Sequence, residues 1–239
     1  MVVLVLAAGI GVNTTVFTLF NALYIRGLPA PDGNRVLFVE NNNLTKNQQR
    51  MRTSYPDFAD WRAEVRAFAD LGGFSRAAFN LSDDSAAPER LGGARLTANA
   101  FHLLHVAPIL GRDFLAQEDQ PGANRVVLLS HGIWQDRYGG DAKIIDQTVR
   151  IDERLHTVVG VMPPGFHFPA KAKLWLPLVA EGDWLKRDSR RMGVFGRLAD
   201  GATLASAQES WTCSPTDCGK STPLRMTTSV FTYCPPTTT

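Results

Sequence analysis

The chain opens on an apolar stretch without a charged side chain, residues 1–25, and continues into a body where short apolar runs alternate with polar turns. At about 1.5 Å per residue a helix over this stretch reaches ~37 Å, against a hydrocarbon core of roughly 30 Å, so the pattern predicts a transmembrane helix. Leu4, Val5, Leu6, Ala7, Ala8 and Ile10 are apolar all round, whereas Asn13, Thr14, Thr15, Thr18 and Asn21 interrupt the second half. That half suits contact with protein or headgroups, and Gly9 and Gly11 permit close approach of a neighbouring helix. A secretory signal fits less well, because no basic region precedes the apolar stretch. A buried soluble helix is the other alternative. Arg26 and Arg35 flank the C-terminal end, which by charge alone places the body in the cytoplasm.

In the body, residues 35–40 (RVLFVE) form the continuous apolar run of a buried strand, and the polar stretch 41–52 reads as a loop. Ser54 followed by Pro56 and Asp57 is a helix start. Phe58, Trp61, Val65 and Phe68 recur at helical spacing and predict one buried helix face, ended by Leu71-Gly72-Gly73. Strands are expected at 74–81 and 90–96 around a turn at 82–88, then a short helix at 99–106. Residues 125–129 form a strand, and Ser130 caps a helix that carries Ile133, Trp134 and Tyr138 and stops at Gly139-Gly140. Residues 148–151 and 155–161 make a hairpin, with Leu155, Thr157, Val159 and Val161 on one face. Later strands are expected at 174–178 and 192–198, and a helix starts up at 202–208. Short strands mixed with short helices, without regular βαβ alternation, predict an α+β fold.

Charge narrows the function classes. The net charge is +2, and basic residues are mixed with acids, as in residues 60–66 (DWRAEVR), so no stripe for nucleic acid exists. Cys213, Cys218 and Cys234 all fall in the last 27 residues, with neither a disulfide framework nor zinc spacing. His102 and His105 stand three apart on a short helix and could share a metal, but no third ligand follows at a diagnostic spacing. Ser130-His131 places a nucleophile beside a base in sequence only, and no G-x-S-x-G surrounds it. Asp83 and Asp84 sit in a turn, where Asp serves the backbone. Gly219-Lys220-Ser221 looks like the end of a phosphate loop, but Ser214 stands where the motif needs Gly. Asn43-Leu44-Thr45 and Asn80-Leu81-Ser82 fit a glycosylation pattern that arises readily by chance. No catalytic, cofactor-binding or metal-binding residue is assigned, and the chain reads as a non-enzyme without a cofactor.

Several stretches together carry a resemblance. They are Gly9-Ile10-Gly11-Val12-Asn13-Thr14 with Asn21-Ala22-Leu23, Ser54-Tyr55-Pro56-Asp57-Phe58 with Trp61, and Leu110-Gly111-Arg112-Asp113-Phe114. Further on come Val127-Leu128-Leu129-Ser130-His131-Gly132-Ile133-Trp134, then Val158-Val159-Gly160-Val161-Met162-Pro163-Pro164-Gly165-Phe166, and last Leu174-Trp175-Leu176-Pro177-Leu178. In number and order they resemble the MacB-like periplasmic core domain of bacterial ABC-transporter permeases, particularly the acidobacterial-type permease group, over about residues 4–208. The resemblance implies a body that leaves the first transmembrane helix, with a porter-like α/β part near the membrane and an inserted β-rich lobe over roughly residues 55–185. It implies a mechanical role, carrying motion driven by a cytoplasmic ATPase to the periplasmic side for export or efflux. It also implies a second permease copy and a periplasmic adaptor protein as partners, and it places the body in the periplasm against the local charge signal. The chain departs from the family pattern in showing no cytoplasmic segment before the helix, no later membrane helices and no ATPase domain, so on its own it is not expected to transport.

After residue 208 the periodicity stops. Shifting the reading frame from Glu209 permits codons that yield Glu-Leu-Asp-Val-Leu-Ala-Asn-Arg-Leu-Arg-Lys-Glu-Tyr-Pro, an amphipathic helix similar to what the family has there. A displaced frame is therefore expected near residue 209, with residues 209–239 an aberrant, disordered tail, residues 1–25 a membrane helix and residues 26–208 a core domain incomplete at its C-terminus. Two other classes stay open: a membrane-tethered cell-envelope hydrolase, which would need a nucleophile and base in contact, and a passive envelope-binding module.

Overall fold

A computed structural model describes residues 35–43, 48–83, 86–210 and 224–227. The expected membrane helix lies outside these residues, as do most of the tail and Leu44-Thr45. Among the described residues no helix is long and apolar enough to cross a membrane. In chain order the elements are β1 (Val36–Asn43), β2 (Gln48–Met51), α1 (Tyr55–Glu64), β3 (Phe68–Ser82), β4 (Glu89–Leu96), α2 (Ala100–Leu104), β5 (Leu110–Gly111) and β6 (Val126–Leu129). They continue as α3 (His131–Tyr138), β7 (Thr148–Ile151), β8 (Arg154–Val161), β9 (Leu174–Pro177), β10 (Gly193–Leu198), α4 (Leu204–Ser210) and β11 (Leu224–Thr227). Parallel and antiparallel pairs mix in one sheet, and short helices cover it, which makes this a mixed α/β domain.

The strand pairings divide the sheet into a base and a closed lobe. In the base, β10 lies between β1 and the first half of β3, antiparallel to both, and β2 and β11 flank β1. In the lobe, β3 pairs β4, β4 pairs β9, β9 pairs β6, β6 pairs β8, β8 pairs β7, and β7 returns to β3. That ring is a small barrel, closed by two residue pairs, Leu81 with Ile151 and Ser82 with Arg150. Alternate residues point inward, as the two-residue period of a strand requires. Phe79 and Leu81, Val127 and Leu129, Val149 and Ile151, and Leu174 and Leu176 fill the interior.

A second cluster joins the barrel's outer face to the base, through Leu96, Leu128, Val159 and Trp175 with Phe101 and Leu104 of α2. At its centre Phe38, Phe74, Phe168 and Phe195 pack with ring centroids 5.2 to 6.3 Å apart. On the opposite face of the base, Leu37, Val39, Val194 and Leu198 meet Phe58 of α1 and Ala207 of α4. Helix α1 therefore belongs to the base and not to the inserted lobe.

Local expectations fare unevenly. Ser54 caps α1 by accepting from the Asp57 N–H at 3.2 Å, and Ser130 caps α3 by accepting from the Ile133 N–H at 3.3 Å. Helix α1 is shorter than its apolar period suggests: it stops at Val65, which is extended, and Phe68 joins the same core from a strand. Gly72 and Gly73, read as a helix end, lie inside the 15-residue β3. A Cβ on Gly72 would stand 2.8 Å from the Phe195 ring, and one on Gly73 2.2 Å from Met192, so these glycines allow close packing and do not break structure. The polar stretch 41–52 is no simple loop, because β1 runs on to Asn43 and pairs with β2. The expected common face of Leu155, Thr157, Val159 and Val161 is split by a β-bulge. Val127 and Leu128 face Val158 and Gly160, so the extra residue Val159 turns outward while Val161 points inward and Leu155 stays exposed.

Candidate functional site

Among the described residues, the motifs singled out in the sequence have structural tasks. In Leu110-Gly111-Arg112-Asp113-Phe114, Gly111 adopts φ +75° and would bring a Cβ to 2.2 Å from the Val159 carbonyl oxygen, which only glycine avoids. Arg112 then donates to both carboxylate oxygens of buried Glu118, at 3.1 and 2.6 Å. Glu118 in turn accepts from the Leu115 N–H at 2.8 Å, which closes the loop on itself. Asp113 accepts from the Phe114 N–H at 2.6 Å. Burial pushes its carboxyl up to about 6, against the pull of that N–H and of His102. Phe114 packs on Phe101 at 5.7 Å. Trp175 is fully buried, donates its indole N–H to the Phe168 carbonyl and leans on Phe166.

A polar tie fastens α1, β3 and the turn before α2. Arg62 grips Asp70 with two bonds of 2.8 Å. Asn99 donates to Asp70 at 2.6 Å and to the Leu71 carbonyl at 2.9 Å. Thr97 donates to Asn99 Oδ1 and accepts from the Gly73 N–H. Burial alone would raise the Asp70 carboxyl, but the donors from Arg62, Asn99 and the Leu71 N–H outweigh it and hold the group below its usual range. Asp57 and Asp60 of α1 both hold Arg187, at 2.7 Å, which ties the loop before β10 to this helix. At the far end of the lobe, Arg137 of α3 holds Asp83 and the carbonyls of Ala86 and Ala87. Tyr138 also donates to Asp83, and burial together with that carboxylate raises its phenol above the usual value.

The candidates for chemistry are not brought together. His102 and His105 are exposed with ring centroids 6.4 Å apart, and among the described residues no group of three or more His, Cys, Asp or Glu side chains could hold a metal. Ser130 Oγ is engaged as a helix cap, and the His131 ring packs edge-on to Trp134 at 5.5 Å. Asp83 anchors a loop, and Asn80 donates to Asp152 in a turn. Asp84, Gly219, Lys220, Ser221 and the three cysteines lie outside the described residues.

Sequence reasoning missed three groups: Glu118 inside its loop, Arg197 buried against the Leu103 carbonyl at 2.7 Å, and Arg95 inside the barrel wall. A signal existed for two of them. Arg95 follows Leu91 and Gly93, and Arg197 follows Phe195, at every second position of their strands, so each is a charge on a buried apolar face.

Several solved structures resemble this fold. The periplasmic region of MacB from Actinobacillus actinomycetemcomitans matches with a TM-score of 0.62 at 14% identity, covering 82% of this chain and 89% of that one. The extracellular domain of the noncanonic ABC-type transporter YknZ from Gram-positive bacteria matches with a TM-score of 0.58 at 10% identity, covering 80% and 99%. Comparison with curated proteins gives no match. At these identities the structures establish the fold. The family profile for the MacB-like periplasmic core domain, in contrast, matches the sequence itself over residues 1–212. On that match, the chain belongs to the family of MacB-like periplasmic core domains, the periplasmic part of an ABC-transporter permease.

Proposed function

We propose that this chain is part of a permease subunit whose body stands on the periplasmic side of the bacterial inner membrane and carries ATPase-driven movement away from it, for export or efflux. Residues 1–25 are the membrane helix and 26–208 the core domain, with the base as the porter-like part and the barrel as the inserted lobe. The segment 209–239 is the aberrant tail, and of its described residues Leu224–Thr227 add an edge strand, β11, to β1. The family profile ends at residue 212, which supports that boundary. A second permease copy, a cytoplasmic ATPase and a periplasmic adaptor are its partners, and the chain itself supplies no catalysis.

One observation carries the mechanical reading. β3 is a single 15-residue strand that belongs to both parts, hydrogen-bonded to β10 at one end and to β4 and β7 at the other. A displacement of the base is handed to the lobe through a continuous sheet, without a flexible joint. Arg76, just past the last pairing with β10, is the place to interrupt it. Proline there lacks the N–H and fixes φ, so Arg76→Pro should loosen the strand at the crossing. In the assembled transporter, ATP hydrolysis should persist while transport falls. Full transport with the strand interrupted would reject a rigid coupling role.

A further inference from the structure

The open end of the barrel gathers positive charge. Arg95 follows Leu91 and Gly93 on the inward face of β4 and opposes Ser75 across the pair with β3. Its guanidinium lies over the Phe79 ring, 5.0 Å from the centroid. Among the described residues nothing accepts a hydrogen bond from it. The stagger of the ring brings the β7–β8 turn and the start of β6 to this same end. That adds the charges of Arg154 and Arg125; His156 lies beside them, buried, with Nδ1 2.9 Å from the Arg154 carbonyl oxygen. Asp152 is the acidic neighbour of both Arg95 and His156, and one of its oxygens already accepts from the Asn80 N–H and amide. Burial lowers the Arg95 guanidinium below its usual value, and Arg154 lowers it further. Burial also lowers His156, with Arg125 and Arg95 adding to the effect.

A half-buried guanidinium on an aromatic face, with its planar fork unsatisfied and further cations around it, is built to receive an oxyanion. We propose that this barrel mouth binds one oxyanion, a carboxylate or a sulfate-type group, held in the fork of Arg95 with Arg154 at the rim. The interior behind Arg95 is filled by Phe79 and Leu176, so only the anionic head of a ligand fits. The source is either a free anion or an acidic side chain presented by a neighbouring protein.

The test is calorimetric titration of the full chain, with ionic strength held constant by chloride. One arm uses sodium sulfate and the other an acetylated, amidated glutamate peptide. Saturable binding of either supports the site, and the tighter arm names the source. Arg95→Met should weaken binding by about tenfold or more, since a charge-assisted pair of bonds is lost. Arg154→Gln, at an exposed position, should weaken it less, and Arg76→Gln, facing the other side of β3, should leave it unchanged. If Arg95→Met does not fold, Arg95→Lys keeps the charge without the fork and should still bind more weakly. No saturable binding in either arm, or binding indifferent to both Arg95 and Arg154, overturns the proposal.

Discussion

The ion pair between Arg137 and Asp83 offers a sharp test of how the lobe is held together. Their side chains are only 5% and 10% exposed, at 2.9 Å. Asp83→Ala leaves Arg137 with the carbonyls of Ala86 and Ala87 but no countercharge, and deprives the Tyr138 hydroxyl of its acceptor. Breaking a buried pair from one side costs about 3–5 kcal/mol, because the remaining charge stays desolvated. For a domain of this size that is a fall of roughly 6–20 °C in Tm. Urea unfolding followed by tryptophan emission measures it. The double variant Asp83→Ala with Arg137→Met removes both charges and should recover most of the loss. Because the pair is buried, the cost should change little with added salt. A loss under about 1 kcal/mol, the range of exposed pairs, would refute the reasoning, as would a double variant no better than the single one.

Three other outcomes are expected. Gly111→Ala forces a side chain into φ +75° against the Val159 carbonyl and should cost at least ~2 kcal/mol, whereas Gly122→Ala, with a similar φ but open space, should cost less; equal losses would deny the steric account. Asp113 holds its proton to about pH 6 in the native state and to 3.8 when unfolded, so stability should fall as pH rises from about 4 to about 6 and level off above; Asp113→Asn should flatten that slope, and an NMR titration midpoint near 4 would contradict it. Phe58→Ala should cost about 3–5 kcal/mol and Trp61→Ala distinctly less, since Phe58 is 2% exposed and Trp61 only half-buried; the reverse order in urea unfolding would mean that α1 is rotated.

What the sequence disclosed was local. Ser54 with Pro56, Ser130 with Gly139, and the hairpin around Asp152 are signals whose physics is complete within a few residues, and they locate α1, α3 and the β7–β8 pair. What it concealed depends on partners far along the chain. Gly72 and Gly73 look like punctuation until Phe195 and Met192 arrive from more than a hundred residues away to occupy the space they leave. The bulge at Val159 is defined only by its register against β6, and the closure of the barrel by two pairs between β3 and β7. The cationic end around Arg95 joins β3, β4, β8 and the residue before β6, and shows itself in sequence only as a charge on an apolar face.

The position of β10 dictates an order of assembly. Every pairing in the barrel ring is made by residues 74–177, so the lobe can close from its own contiguous chain. The base cannot, because β10 is the wedge between β1 and β3, and it follows β1 by about 150 residues. Until Gly193–Leu198 docks, two strand edges stand open to any passing β-strand, which is the period of greatest risk of misassembly. Non-local closure of this kind is slow. Pulsed hydrogen exchange during refolding should therefore protect β4 and β9 before β1, and the arrival of one six-residue strand converts a finished barrel with a loose handle into a single body.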